Sequence, residues 1–217
     1  MDIRISQFNP IVGDLKTNAA RILEIARANN DADVIIFPEC ALSGYPIEDL
    51  GLVESFRRDV TETADKLNDE LMKLNVATVY GTPYMKKDSF YNSLFFIDVD
   101  THKKIMVTKV DLPNYGVFDE KRVFSKGTPQ SFPISFRGKR YACLICEDGW
   151  NDLVTPELAQ DSFDAVIWIN GSPYEEGRFE KRVRLAERLA ACSAYGKMNA
   201  PVFYVNLVGG EDELVFD

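Results

Sequence analysis

Residues 33–38 read DVIIFP, an almost unbroken apolar run about as long as one strand. A strand with one wet face alternates apolar and polar residues, so such a run belongs to a sheet covered by helices. The chain supplies suitable helices. LKTNAARILEIARANN, just upstream, carries Leu15, Ala19, Ile22 and Ala26 at helical spacing, with Asp14 placed as its N-cap. A second helical stretch covers about 50–74. IRISQF (3–8) and VATVYG (76–81) read as strands on either side of this pattern.

The middle of the chain changes character. SLFFID (93–98), KIMVTKV (104–110), QSFPISF (130–136) and KRYACLIC (139–146) are strand-like, with Asp98 to His102 and Arg137-Gly138 as hairpin turns. Alternation then resumes. Thr155-Pro156-Glu157 fits a helix start with proline at the first position, DAVIWIN (164–170) and PVFYVN (201–206) are strands, and 178–197 is helical. Mixing βαβ units with hairpins predicts an α/β protein whose sheets hold both parallel and antiparallel neighbours. At 217 residues the chain is long enough to bury one good core, and no linker or repeat divides it. ELVF (213–216) reads as the start of a further strand. An α/β layer seldom stops on an open edge, so the natural protein is expected to continue.

Charge narrows the function classes. The formal net charge is -9, which argues against a nucleic-acid or anionic-membrane binder. RFEKRVRLAERLA (178–190) is the one basic stretch, and its charges alternate with an apolar face as on a solvated helix. MDIRISQFNP lacks the apolar segment of a signal peptide, and no apolar run approaches the length of a membrane span. Four cysteines, at 40, 143, 146 and 192, do not form the dense framework of a small secreted domain. A reducing, cytoplasmic setting with free thiols is the expectation.

Three strands end in reactive chemistry: Glu39 after FP, Lys109 after VT, and Cys146 followed by Glu147 and Asp148. Ligand sites collect at the carboxyl ends of strands in such sheets. A converging thiol, carboxylate and ammonium make an acyl-transfer site: the thiolate attacks a carbonyl, the carboxylate moves protons, and the cation stabilises the oxyanion. Singly, a glutamate is usually a surface group, a lysine a solvated edge and a cysteine a piece of core. The only histidine, His102, sits in a turn beside Lys103 and Lys104, so the base of such a site is not expected to be histidine. Within YACLIC, period-two alternation puts Cys143 and Cys146 on opposite faces, which disfavours a shared metal or disulfide. Cys143 reads as core and Cys146, where the apolar run meets polar loop, as the nucleophile.

Longer motifs add more. SQFNPIVGDLKTNAARI (6–22), ADVIIFPECALSGYPIEDL (32–50), TKVDLPNYGVFDEKRVFSKG (108–127), CLICEDGWND (143–152) and INGSPYEEGR (169–178) follow one another across nearly the whole chain. In these the chain resembles the carbon-nitrogen hydrolase (nitrilase-like) superfamily, and within it the glutaminase domain of glutamine-dependent NAD synthetases. The resemblance implies an α-β-β-α sandwich with two mixed sheets, spanning 1–217 and incomplete at its C-terminal end. It implies Glu39, Lys109 and Cys146 as the catalytic set, and Tyr115, Phe118 and Glu147 as the lining of a glutamine pocket. Glu120 matches a second glutamate that positions lysine or substrate. Ser172 and Arg178 match substrate-side residues, the arginine being suited to pair an α-carboxylate bidentately. No cofactor is implied for this chain; ATP, Mg and deamido-NAD would belong to a C-terminal synthetase domain that takes up the ammonia. Homo-oligomers are also implied. A free-standing ω-amidase-like hydrolase of small amides and an inactive structural module remain the alternatives.

Overall fold

The unbroken run at 33–38 is apolar because both of its faces are covered. In the computed structural model, which describes residues 1–130, 132–151, 163–192 and 200–217, Ile35 and Phe37 face helices while Val34 and Ile36 face a second sheet. The first sheet holds β1 (Ile3–Ile5), β2 (Val34–Ile36), β3 (Ala77–Lys86), β4 (Ser89–Asp98) and β5 (Lys103–Thr108), in that spatial order. Its first three strands are parallel and the last two turn back antiparallel. In the second sheet, β6 (Ile134–Phe136) pairs antiparallel with β7 (Lys139–Ile145), which runs parallel to β8 (Ala165–Asn170). β9 (Val202–Asn206) is parallel to β8 and lies beyond it.

Period-two alternation on these strands builds three apolar layers. Helices α1 (Leu15–Ala28) and α2 (Glu54–Leu71) bury Ile22, Ala26, Phe56, Val60 and Leu67 against the outer face of the first sheet. Between the sheets, Val79, Leu94 and Phe96 meet Phe136, Tyr141, Cys143 and Ile167. A short helix, α3 (Glu120–Val123), precedes the second sheet, and α4 (Arg178–Cys192) covers that sheet's outer face, packing Leu185 and Leu189 near Leu144, Val166 and Trp168. The architecture is therefore an α-β-β-α sandwich with two mixed sheets.

Several boundaries differ from expectation. β3 does not end at Gly81 but runs on through Pro83 into a ten-residue hairpin arm with β4. Gly81 is there for space: a Cβ on it would stand 2.5 Å from the Glu39 Cα. β1 stops at Ile5, and Phe8 instead bridges to Leu207, joining the two sheets at one edge. The helical stretch from 50 is a 3₁₀ turn, Glu48–Leu52, followed by α2. ELVF pairs back as β11 (Leu214–Phe216) on β10 (Gly209–Glu211), in a separate hairpin. The helix start at Thr155-Pro156-Glu157 and the helical residues beyond 192 lie outside the described residues. Among the described residues, no helix is long and apolar enough to cross a membrane.

Phe96 is fully buried, with Phe136 at 5.6 Å and Tyr141 at 5.9 Å across the sheet interface. Phe96→Ala should lower the unfolding free energy by about 3–5 kcal/mol in urea titrations. A loss below about 1 kcal/mol would mean that the two sheets are not held by this contact.

Candidate active site

Lys109 follows the end of β5 and points its ammonium into the protein, where neither it nor Glu39 has any exposed surface. A lone buried ammonium would be severely destabilising, so its partners matter. Its Nζ lies 2.8 Å from Glu39 Oε1 and 2.8 Å from Glu120 Oε1. Glu39 comes from the loop after β2, and Glu120 opens α3. Each carboxylate has further support. Glu39 accepts from Asn92 Nδ2 at 2.8 Å and from the Gly171 N–H at 2.7 Å. Glu120 Oε1 accepts from the Tyr45 hydroxyl at 2.8 Å.

Electrostatics follows from this crowding. Burial works to lower the Lys109 ammonium, but Glu120 and Glu39 outweigh it and hold it well above its ordinary value, so the cation persists. Glu120 is pushed up to about 7, mainly by burial and against the pull of Lys109. Two carboxylates around one cation leave one negative charge in excess.

Cys146 stands at the junction of β7 and the 3₁₀ turn Cys146–Gly149, with φ 45°. That left-handed backbone is uncommon for a side chain larger than glycine and recurs at functional sites. Extended geometry ends at Ile145, so the alternation expected across YACLIC does not reach Cys146. Both Cys143 and Cys146 consequently lie on the side between the sheets. Two contacts support the bend. Trp168 donates its indole N–H to the Cys146 carbonyl at 2.8 Å, and a Cβ on Gly149 would come within 2.4 Å of that indole. The Cys146 thiol is raised well above its ordinary value, chiefly by burial, with Glu39 adding and Lys109 opposing. It is therefore a neutral thiol at rest, within electrostatic reach of both groups.

Asp148 ties the two halves of the site together. It accepts the N–H groups of Val110 and Asp111, just after Lys109, at 3.0 and 2.8 Å, and that of Ile145 at 3.4 Å. Burial pushes its carboxyl up to about 7, while the Asp111 N–H, Lys109 and the Val110 and Ile145 N–H groups favour the ionised form.

The remaining expected residues divide. Tyr115 donates to Glu147 Oε2 at 2.9 Å, and Phe118 stands between Tyr115 and Tyr45, at 5.5 and 6.4 Å. Burial raises the Glu147 carboxyl, with the Tyr115 hydroxyl opposing. Ser172 is buried, and its hydroxyl is engaged by Arg182 at 3.3 Å. Arg178 pairs with Glu175 and lies over the Trp150 ring at 5.1 Å. Neither makes direct contact with the buried cluster. Three residues that sequence reasoning gave no role complete it: Asn92, Tyr45 and Gly171. Asn92 carried a signal, since a polar residue inside the apolar run YNSLFF is informative wherever the strand is buried.

Asp148→Asn replaces an acceptor of three N–H groups by an amide with a single acceptor oxygen. We expect a loss of about 2 kcal/mol in unfolding free energy and slower alkylation of Cys146. Unchanged values for both would show that the Asp148 contacts do not hold the loop.

Comparison with known proteins identifies the family. The family model described as carbon-nitrogen hydrolase matches residues 2–216. The glutamine-dependent NAD(+) synthetase of Acinetobacter baylyi is 34% identical over 99% of this chain, and that of Aquifex aeolicus is 34% identical over 100%. The chain spans only 38% and 37% of the lengths of these relatives. A solved glutamine-dependent NAD+ synthetase from Acinetobacter baumannii, in complex with ADP, superposes with a TM-score of 0.86 at 35% identity, covering all of this chain and 40% of that one. An amidase from Nesterenkonia sp. shares the fold, with a TM-score of 0.82 at 22% identity, over all of this chain and 80% of the amidase. A family match over residues 2–216 and relatives 34% identical over nearly the whole chain show that it belongs to the carbon-nitrogen hydrolase family.

Proposed function

We propose that this chain hydrolyses the side-chain amide of glutamine, with Cys146 as nucleophile, Glu39 as general base and acid, and Lys109 as the fixed positive charge. The observation that carries the reading is the fully buried Lys109–Glu39 pair within electrostatic reach of the Cys146 thiol. The similarity to glutamine-dependent NAD synthetases supports glutamine as the substrate.

In this reading Glu39 takes the thiol proton as sulfur attacks the amide carbonyl carbon. A thiol raised by burial needs such a base in place, because free thiolate is scarce at neutral pH. Negative charge develops on the carbonyl oxygen, where Lys109 stabilises it; one well-placed donor of this kind is worth about 3 kcal/mol. Glu39 returns the proton to the departing nitrogen, and ammonia leaves a thioester on Cys146. Water then attacks the thioester, Glu39 takes its proton, and sulfur departs to release glutamate. Glu120 holds Lys109 from its other side, so the ammonium keeps its place when Glu39 changes charge. Tyr115, Phe118 and Glu147 form the mouth, with Glu147 suited to an α-ammonium; Ser172 and Arg178 are assigned to the substrate side by family resemblance.

The ammonia is assigned to a C-terminal synthetase domain that converts deamido-NAD to NAD with ATP and Mg, in a cytoplasmic homo-oligomer. Among the described residues, no cluster of three or more His, Cys, Asp or Glu side chains is disposed to hold a metal.

Cys146→Ala should reduce ammonia release from glutamine by at least about 10³-fold with an unchanged melting temperature. Residual turnover close to wild type would remove Cys146 from the nucleophile role. Preference for short ω-amides over glutamine in the intact protein would favour the ω-amidase reading instead.

A further inference from the structure

A carboxylate offers about four lone-pair positions on two oxygens. On Glu39 they are used unevenly. Oε1 accepts from Asn92 Nδ2 and from Lys109 Nζ, each at 2.8 Å, whereas Oε2 accepts from the Gly171 N–H at 2.7 Å. Among the described residues, one position is left open, and it lies on Oε2.

We propose that Asn92 is a positioning residue that fixes the rotation of the Glu39 carboxylate, so that Oε2 rather than Oε1 exchanges the proton with Cys146. The proposal rests on the reading of Glu39 as the general base.

Asn92 is better suited to this than either other donor. Lys109 divides its ammonium between Glu39 and Glu120, and a rotatable point charge on a flexible stem does not distinguish one carboxylate oxygen from the other. The Gly171 N–H is a loop donor that either oxygen could meet. Asn92 has a planar amide on β4, a strand paired on both sides, and it is fully buried. Its main-chain carbonyl also accepts the Lys109 N–H at 2.8 Å. One residue therefore holds both the backbone of the lysine and, through Oε1, the side chain of the glutamate.

The amide cannot be reversed without loss. Its Oδ1 lies 3.8 Å from the Cys40 Sγ, a weak donor. A flip would bring Oδ1 against Glu39 Oε1, two acceptors at hydrogen-bond distance. Cys40 itself has a left-handed φ of 50° immediately after Glu39, which turns its thiol back toward β4. Thus Cys40, Asn92 and Glu39 form one chain of donors and acceptors ending on Oε1.

The test is the pH profile of ammonia release from glutamine by the intact protein, in wild type and Asn92→Ala. Removing a donor from an ionised carboxylate favours its protonated form. The acid limb of kcat/KM should therefore move up by about one pH unit. With the carboxylate free to rotate, kcat should fall by about 10-fold or more while KM stays within about twofold. A residue that only fills space would lower the melting temperature and leave the limb where it is, and that result would overturn the proposal. Asn92→Ser, which keeps a hydroxyl for Cys40 but is too short to reach Glu39, should behave like the alanine variant. Full activity in Asn92→Ser, or unfolding of both variants, would also count against it. Should wild type release no ammonia from glutamine, the functional reading falls, and the positioning claim is decided by iodoacetamide alkylation of Cys146 across pH 5–9, located by mass spectrometry. A profile displaced to higher pH in Asn92→Ala supports it, and superimposable profiles overturn it.

Discussion

A single ammonium buried between two carboxylates organises this structure. Lys109 has no exposed surface, and each carboxylate touches it at 2.8 Å. A buried ion pair is not in itself a strong source of stability, because desolvation offsets much of the attraction. Its value here is geometric. Glu39 follows β2, Lys109 follows β5 and Glu120 opens α3, so the charges tie Glu39 to a segment that begins 70 residues further along the chain. Supporting donors extend the same logic outward, with Asn92 and Gly171 on Glu39 and Tyr45 on Glu120.

Cys146, the proposed nucleophile, comes from the other sheet. β7 delivers Cys146 to the end of the sandwich, where the left-handed turn lifts it out of the strand. The turn is also held from outside itself. Trp168 holds the Cys146 carbonyl from β8, and Asp148 gathers the amides that follow Lys109. The face-to-face sheets are thereby locked at the point where the chemistry is proposed. A thiol that burial keeps neutral gains reactivity only in company, and this arrangement provides that company without any histidine.

Local pattern made much of the fold legible. The apolar run at 33–38, the helical spacing of Leu15 through Ala26 and the hairpin turn at Arg137-Gly138 each report on short-range geometry. Gly81 misled because a glycine that ends a strand and a glycine that lets a neighbouring backbone pass close by look alike in sequence. At the site, Glu39, Lys109 and Cys146 were marked by their positions at strand ends, and family motifs gave them far more weight than spacing did. Asn92, Tyr45 and Gly171 escaped because their importance lies in partners between 52 and 132 residues away in the chain, measured from Cys40, Glu120 and Glu39. The alternation argument for the two cysteines failed at Cys146 alone, where one backbone torsion leaves the extended region.

The central claim is that Lys109 keeps two carboxylates tolerable in a dry site, and stability against pH tests it directly. Unfolding free energies of wild type and Lys109→Met should be compared from pH 5 to pH 8. Carboxylates left without their cation bind protons more tightly folded than unfolded, so stability of the variant falls as pH rises. The account predicts a deficit of about 3–5 kcal/mol at pH 8 that narrows steadily toward pH 5. A deficit that does not change with pH, or no deficit at all, would contradict it.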